Sequence, residues 1–253
     1  MILRRKRLVA VFAHPDDESF GPGGTFARYA AAGVEMTLVC GTRGEAGSIG
    51  HSKRYGPDLL GRIRQAELEA AVEVLGFRAL HLLGYPDREV PAIGGERGSA
   101  DVLAILKAVD PEVVIAFHPS GISGHADHRA MTAYAELAVD RFTAETGRRL
   151  VLQYWTLPLS VTSQVKDREL PPVPDEDITV ILDTAPFAEV KRRAVHCHRT
   201  QLAFYEQLLN MPGPDGQFGV ERYVTAGAPR RSPLARGLFP EELEGGDQVE
   251  GSA

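Results

Sequence analysis

Apolar residues come in short blocks separated by longer amphipathic stretches, and the two patterns alternate along the chain. Leu8–Ala13 (LVAVFA) is a continuous apolar run of strand length, the signature of a strand buried on both faces. Val34–Cys40, Ala79–Leu83 and Val113–Phe117 repeat it. Between them Thr25–Ala32, Leu59–Leu75 and Ala100–Val109 read as helices, closed by Gly33, Gly76 and Pro111. This βαβαβαβ order predicts an α/β fold, a Rossmann-like three-layer sandwich with a mostly parallel sheet. Farther on, Arg129–Thr146 and Phe187–Leu209 read as helices, and Leu150–Trp155 and Thr179–Leu182 as strands. Residues 1–239 are expected to form one domain. Residues 240–253 are acidic, contain glycine and lack aromatics, and are expected to form a mobile tail.

Polar residues gather where two of these strands end. Leu8–Ala13 runs into His14-Pro-Asp-Asp-Glu18, and Pro15 holds His14 extended. One imidazole and three carboxylates at a strand end repel one another unless a cation holds them. Val113–Phe117 empties into a loop from His118 to His128 that contains Gly124-His-Ala-Asp-His128. If the strand order is 3-2-1-4, the first and fourth strands are neighbours at the point where the order reverses. Ligands bind there, beyond the carboxyl ends of the strands. The two clusters then face each other across one crevice.

In that crevice His14, Asp17 and His128 make a set of two imidazoles and one carboxylate. Such a set suits a catalytic Zn²⁺, one per chain, with a position left for water; Fe²⁺ fits the same donors. Asp16, next to Asp17, is placed to serve as general base. His125 is placed to carry a proton and stabilise an oxyanion. Asp127 suits a carboxylate that fixes a histidine tautomer. The chemistry described is metal-assisted hydrolysis of an amide or ester. Taken alone, either motif also fits a loop whose carboxylates cap the next helix. That account is much poorer for both together.

Composition narrows the classes. The 253 residues are 43% hydrophobic and 25% charged, as in ordinary globular chains. A formal charge of −6 without a basic stripe argues against nucleic acid as partner. The basic start MILRRKR followed by an apolar run mimics a signal peptide, but the run is short and leads into HPDDE. No stretch is long enough to span a membrane. Two cysteines, Cys40 and Cys197, give no disulfide framework, so a cytoplasmic location is expected. A homo-oligomer is left open.

Ala13-His-Pro-Asp-Asp-Glu18 with Gly23-Gly24-Thr25, and Gly124-His-Ala-Asp-His-Arg129, resemble the LmbE/PIG-L family of zinc-dependent N-deacetylases. The resemblance extends from about Leu8 to about Gln201. It implies zinc on His14, Asp17 and His128, Asp16 as base, and His125 as acid or oxyanion stabiliser. It implies substrate contacts for Arg64, in Arg64-Gln-Ala-Glu67, and for Glu45 and Asp87 in sugar-binding loops. It also matches Lys191–Gln201 to the family's closing helix through His198 and Gln201. Ser123 stands where members acting on inositol-linked sugars carry a Tyr, which weakens that substrate more than the reaction. The expected substrate is therefore a small N-acetylated amino sugar or its conjugate. The bland alternative for Arg64 is an i, i+3 ion pair with Glu67, worth a few tenths of a kcal/mol. Rival functions are a related amidase cleaving a larger thiol or sugar conjugate, a non-catalytic metal- or sugar-binding module, and a nucleotide-binding protein. The last is weak because the Gly21–Gly24 bend lacks GxGxxG spacing.

Overall fold

The computed structural model describes residues 3, 5–47, 55–163, 170–171, 173–203 and 219–243. The elements run β1 (Arg7–Phe12), α1 (Asp17–Phe20), α2 (Gly23–Ala31), β2 (Glu35–Thr42), α3 (Pro57–Leu75), β3 (Ala79–Tyr85), α4 (Val90–Ile93), α5 (Gly95–Val109) and β4 (Val113–Phe117). Then come α6 (Ala126–Thr146), β5 (Val151–Thr156), α7 (Leu159–Thr162), β6 (Val180–Asp183), α8 (Ala188–Cys197), β7 (Val220–Thr225) and α9 (Pro240–Leu243).

The strands form one seven-stranded sheet of order β3-β2-β1-β4-β5-β7-β6. The first five are parallel to their neighbours; β7 runs antiparallel to both β5 and β6. The period-2 alternation of β1 explains why it is apolar throughout. Leu8, Ala10 and Phe12 pack against Phe26 and Tyr29 of α2, Leu68 and Leu75 of α3 and Ala194 of α8. Val9 and Val11 face the other way, into a core with Leu103 and Leu106 of α5 and Met131 and Phe142 of α6. Helices therefore cover both faces, and the expected 3-2-1-4 order holds. The order reverses between β1 and β4, whose carboxyl ends open one crevice. Among the described residues no helix is long and apolar enough to cross a membrane.

Two expectations need correction, and one strand lies where none is expected. The helix expected over Phe187–Leu209 stops at Cys197: His198 leaves the helical path with φ −82° and ψ 58° and turns inward to Glu18. Residues 204–209 of that expected helix lie outside the described residues. Strand β7 was not anticipated because VERYVT mixes charge with apolar residues. The tail from 240 begins with the ordered turn α9, where Glu242 accepts the Tyr29 hydroxyl at 2.9 Å and the backbone N–H of Leu238 at 3.1 Å. Residues 244–253 lie outside the described residues, as does the 48–54 part of the expected Gly41–Pro57 loop.

The charge on β7 has a use. Glu221 is buried and accepts the backbone N–H groups of Gly24 at 2.9 Å and Thr25 at 2.8 Å, at the start of α2. Lys191 Nζ of α8 lies 2.7 Å from the same carboxylate and donates to the Gly21 carbonyl at 2.6 Å. The pair pins the turn after α1 to the far end of the sheet. Removing one partner strands a buried charge. We expect Glu221→Ala to cost about 3–5 kcal/mol, measured by urea unfolding; a loss under about 1 kcal/mol would contradict this account.

Candidate functional site

Beyond Phe12 the backbone curls because Asp17 Oδ2 accepts the N–H of Ala13 at 3.1 Å and of His14 at 2.9 Å. Inside that curl Asp16 adopts φ +115°, ψ −27°, a conformation that costs a non-glycine residue about 1–3 kcal/mol. Its N–H donates to Glu18 Oε2 at 3.0 Å. Its Oδ2 lies 3.2 Å from Arg64 Nη2. Burial pushes the Asp16 carboxyl up to about 6, against the pull of the Arg64 guanidinium.

His14 is gripped from both sides. Its Nε2 lies 3.2 Å from Asp127 Oδ2 and 3.2 Å from Asp87 Oδ1, so the proton of the neutral ring belongs on Nε2. Its Nδ1 lies 3.1 Å from His128 Nε2. His128 Nδ1 in turn donates to the Gly121 carbonyl at 3.0 Å, because a carbonyl can only accept. Two imidazole nitrogens thus face each other, with Asp17 Oδ1 3.3 Å from His128 Nε2. These are donors of the kind a divalent cation takes, with the outer carboxylates holding the His14 ring; Asp17 is not among the groups of three residues whose ligand atoms all lie within 4.8 Å of one another. Burial alone would lower the His14 pKa. Hydrogen bonds to Asp127 and Asp87, with the charge of Asp17, outweigh it and raise it to about 10. Burial likewise opposes Asp17 ionisation, and the facing His128 overcomes it, so the Asp17 pKa falls. Ligand atoms of His14, His125 and His128 lie within 4.8 Å of one another, as do those of His14, Asp87 and Asp127.

His125 caps α6: its Nδ1 accepts the Asp127 N–H at 3.2 Å, which leaves the ring proton on Nε2. Its ring packs edge-on against His14 with centroids 4.7 Å apart. Burial first, then the neighbouring His14 and His128, hold its pKa below the usual value, so it stays neutral.

The three residues expected to touch substrate fall in different places. Arg64 is 4% exposed, with Nη1 on the Gly44 carbonyl at 2.8 Å and Nη2 on the Pro15 carbonyl at 2.6 Å. Arg64 and Glu67 do not pair; Glu67 instead accepts the Thr200 N–H at 2.9 Å and the Thr200 hydroxyl at 2.7 Å. Asp87 is buried on His14 and accepts the Ala46 N–H at 2.9 Å. Glu45 is half-buried; its Oε1 accepts the Asp87 N–H at 2.9 Å, and it lines a cleft of about 230 Å³ with Arg43 and Asp58. His198 Nε2, 2.6 Å from Glu18 Oε1 with both side chains buried, is the partner that spacing did not reveal. The resemblance singles out His198 in the closing helix, but nothing in the sequence names Glu18 as its partner.

The family model described as GlcNAc-PI de-N-acetylase matches residues 9–139. A 1D-myo-inositol 2-acetamido-2-deoxy-alpha-D-glucopyranoside deacetylase of Streptomyces avermitilis is 33% identical, over 93% of this chain and 98% of the relative. One of the same name from Saccharomonospora viridis is 35% identical over 77% and 85%. Among solved structures, the N,N'-diacetylchitobiose deacetylase of Pyrococcus horikoshii superposes with TM-score 0.62 at 25% identity, covering 78% of this chain and 70% of that one. A 4-carboxy-2-hydroxymuconate hydratase of Pseudomonas putida shares the fold, with TM-score 0.65 at 19% identity over 90% and 98%.

Metal content of the purified protein tests the donor set. His14→Ala and His128→Ala are each expected to leave it without stoichiometric divalent metal. Asp127→Asn keeps the ligands but loosens the His14 tautomer, and should weaken metal affinity about 10–100-fold in a chelator competition. Full affinity in Asp127→Asn would remove that carboxylate from the metal site.

Proposed function

The chain belongs to the PIG-L family of de-N-acetylases, and from that membership we propose that it hydrolyses the N-acetyl group of an N-acetylglucosamine-type sugar conjugate, with one Zn²⁺ per chain. The observation that supports this most is the separation of two adjacent carboxylates. Asp17 turns toward His14 and His128, while Asp16 is held out of that set by Arg64 and Glu18. A mere metal binder has no need of the second carboxylate.

In this reading His14, Asp17 and His128 hold the ion, and Asp127 with Asp87 fixes the His14 ring. Zinc in that position supplies Lewis acidity and lowers the pKa of water to roughly 7. Asp16 takes the proton from the attacking water. Its pKa of about 6 keeps it ionised at neutral pH and close enough to neutrality to pass the proton on. The new C–O bond forms at the acetyl carbon, and His125 donates its Nε2–H to the carbonyl oxygen as charge gathers there. The C–N bond then breaks as the amine takes the proton from Asp16; the acid gives up its remaining O–H proton to Asp16 and so to the amine or solvent, and acetate and an ammonium leave. Arg64 braces Asp16 rather than the sugar, and Glu45, tied to the Asp87 N–H, is left as the candidate for a sugar contact. Two free thiols, one of them buried, suit a reducing cytoplasm.

Acetate release should be assayed over a panel of N-acetylglucosamine conjugates, inositol-linked ones included. Asp16→Asn should lower turnover about 10²–10⁴-fold with metal retained. Wild-type turnover in Asp16→Asn would overturn its role as base.

The pH dependence has a definite sign. Asp16 acts ionised, so kcat/KM should rise with pH through a midpoint at or below about pH 6 and be level by about neutrality. A nearby cation shifts that limb to lower pH, never higher. A plateau reached only above neutrality would assign the acid limb to another group.

A further inference from the structure

Glu18 and His198 take no part in the steps above, yet their side chains are 1% and 0% exposed and lie 2.6 Å apart. Such a pair is costly to bury unless its geometry is used. Glu18 divides its two oxygens. Oε1 meets His198 Nε2 and accepts the Ser19 hydroxyl; Oε2 accepts the Asp16 N–H at 3.0 Å. Among the described residues the His198 ring has this one hydrogen-bond partner, since its buried Nδ1 has none. Its chain segment is fixed from the other side, where Thr200 donates twice to Glu67 of α3.

The Asp16 backbone is in the left-handed region and needs to be held there. Arg64 holds the preceding carbonyl of Pro15 and the Asp16 carboxylate. Glu18 holds the N–H. If Glu18 swung away, the peptide between Pro15 and Asp16 would keep only its carbonyl side tethered. We propose that His198 and Glu18 are positioning residues for Asp16: His198 locks the Glu18 carboxylate, which locks the Asp16 backbone at the angle that aims its side chain. This rests on the reading of Asp16 as the base.

Three variants test it on the metal-loaded protein. His198→Leu fills the space without the hydrogen bond. Glu18→Gln keeps the shape but offers one acceptor oxygen; with that oxygen on the Asp16 N–H, His198 Nε2 can only accept from the amide, which leaves a buried Nδ1–H unpaired. His198→Gln restores a donor near the Nε2 position. A displaced catalytic group of this kind costs up to about 100-fold, so kcat per bound metal should fall about 10–100-fold in His198→Leu and Glu18→Gln. KM should stay within about twofold, since the loss is in the transition state. His198→Gln should stay within about threefold of wild type. Amide exchange read by mass spectrometry on the peptide from Ala13 to Phe20 should speed up in His198→Leu and Glu18→Gln, and not in His198→Gln.

A purely structural pair would lower thermal stability while leaving kcat per metal and the exchange unchanged; that result overturns the proposal. So does a kcat loss that follows metal loss, or a His198→Gln variant as poor as His198→Leu. If His198→Leu does not fold, Glu18→Gln decides by the same measures. Should wild type release no acetate from any conjugate, the functional reading falls, and the exchange comparison still decides whether the pair holds the Asp16 backbone. If Asp16→Asn is dead while the His198 and Glu18 variants keep kcat, the reading stands and the positioning claim falls.

Discussion

Three consecutive buried carboxylates, Asp16, Asp17 and Glu18, govern this structure. An ionised carboxylate taken out of water costs several kcal/mol unless charges and donors replace its hydration. Three in a row cannot share one partner. Each has its own: Arg64 for Asp16, two backbone N–H groups with His128 for Asp17, and His198 for Glu18. The partners come from α3, from α6 and from just beyond α8. The short stretch after β1 can exist only once most of the sheet and the helices on both faces are in place.

That dependence explains why the sheet reversal matters beyond providing a crevice. The β1–β4 adjacency brings α6, which follows β4, over the end of β1. Asp127 and His128 thereby reach His14 from more than a hundred residues away. The loop after β3 brings Asp87 to the same ring, and the loop after β2 is tied to it through Glu45. Four successive parallel strands therefore each send a residue toward one imidazole or its supports. The pattern is electrostatic as much as topological. His14 gathers acidic groups on its Nε2 side and turns its Nδ1 to His128 of the other cluster.

Much of this was legible in the chain. The buried strands announced themselves as unbroken apolar runs, and the two titratable clusters stood at their ends. The inference that distant clusters meet needed only the strand order. What could not be read was which buried charge pairs with which. Arg64 and Glu67 sit at helical spacing, which suggests a local pair, but the helix turns Arg64 toward Asp16 and Glu67 toward Thr200. His198 is singled out by the resemblance, but its partner Glu18 and its departure from the helix are not. Periodicity reports which face is apolar and says nothing about where a polar residue leaves the helical path. Strand β7 was missed for the same reason. Its Glu221 and Arg222 break the apolar pattern, and burial of Glu221 becomes affordable only through Lys191 and the N–H groups of α2.

The shared architecture with a hydratase shows why the fold by itself decides no chemistry. What distinguishes a hydrolytic site is the treatment of a carboxylate that does not bind metal. Such a group tends to swing into the coordination sphere, where it would be lost as a base. Here the strained Asp16 backbone turns the side chain the other way from its neighbour Asp17, and Arg64 gives it a cation of its own. The strain of about 1–3 kcal/mol is the cost of keeping two adjacent carboxylates in different roles. It is offset by contacts that also bind α3 and α8 to the strand end. Stability and the shape of the site are not in competition here, because the bonds that hold the fold closed are the ones that hold Asp16 apart from His14, Asp17 and His128.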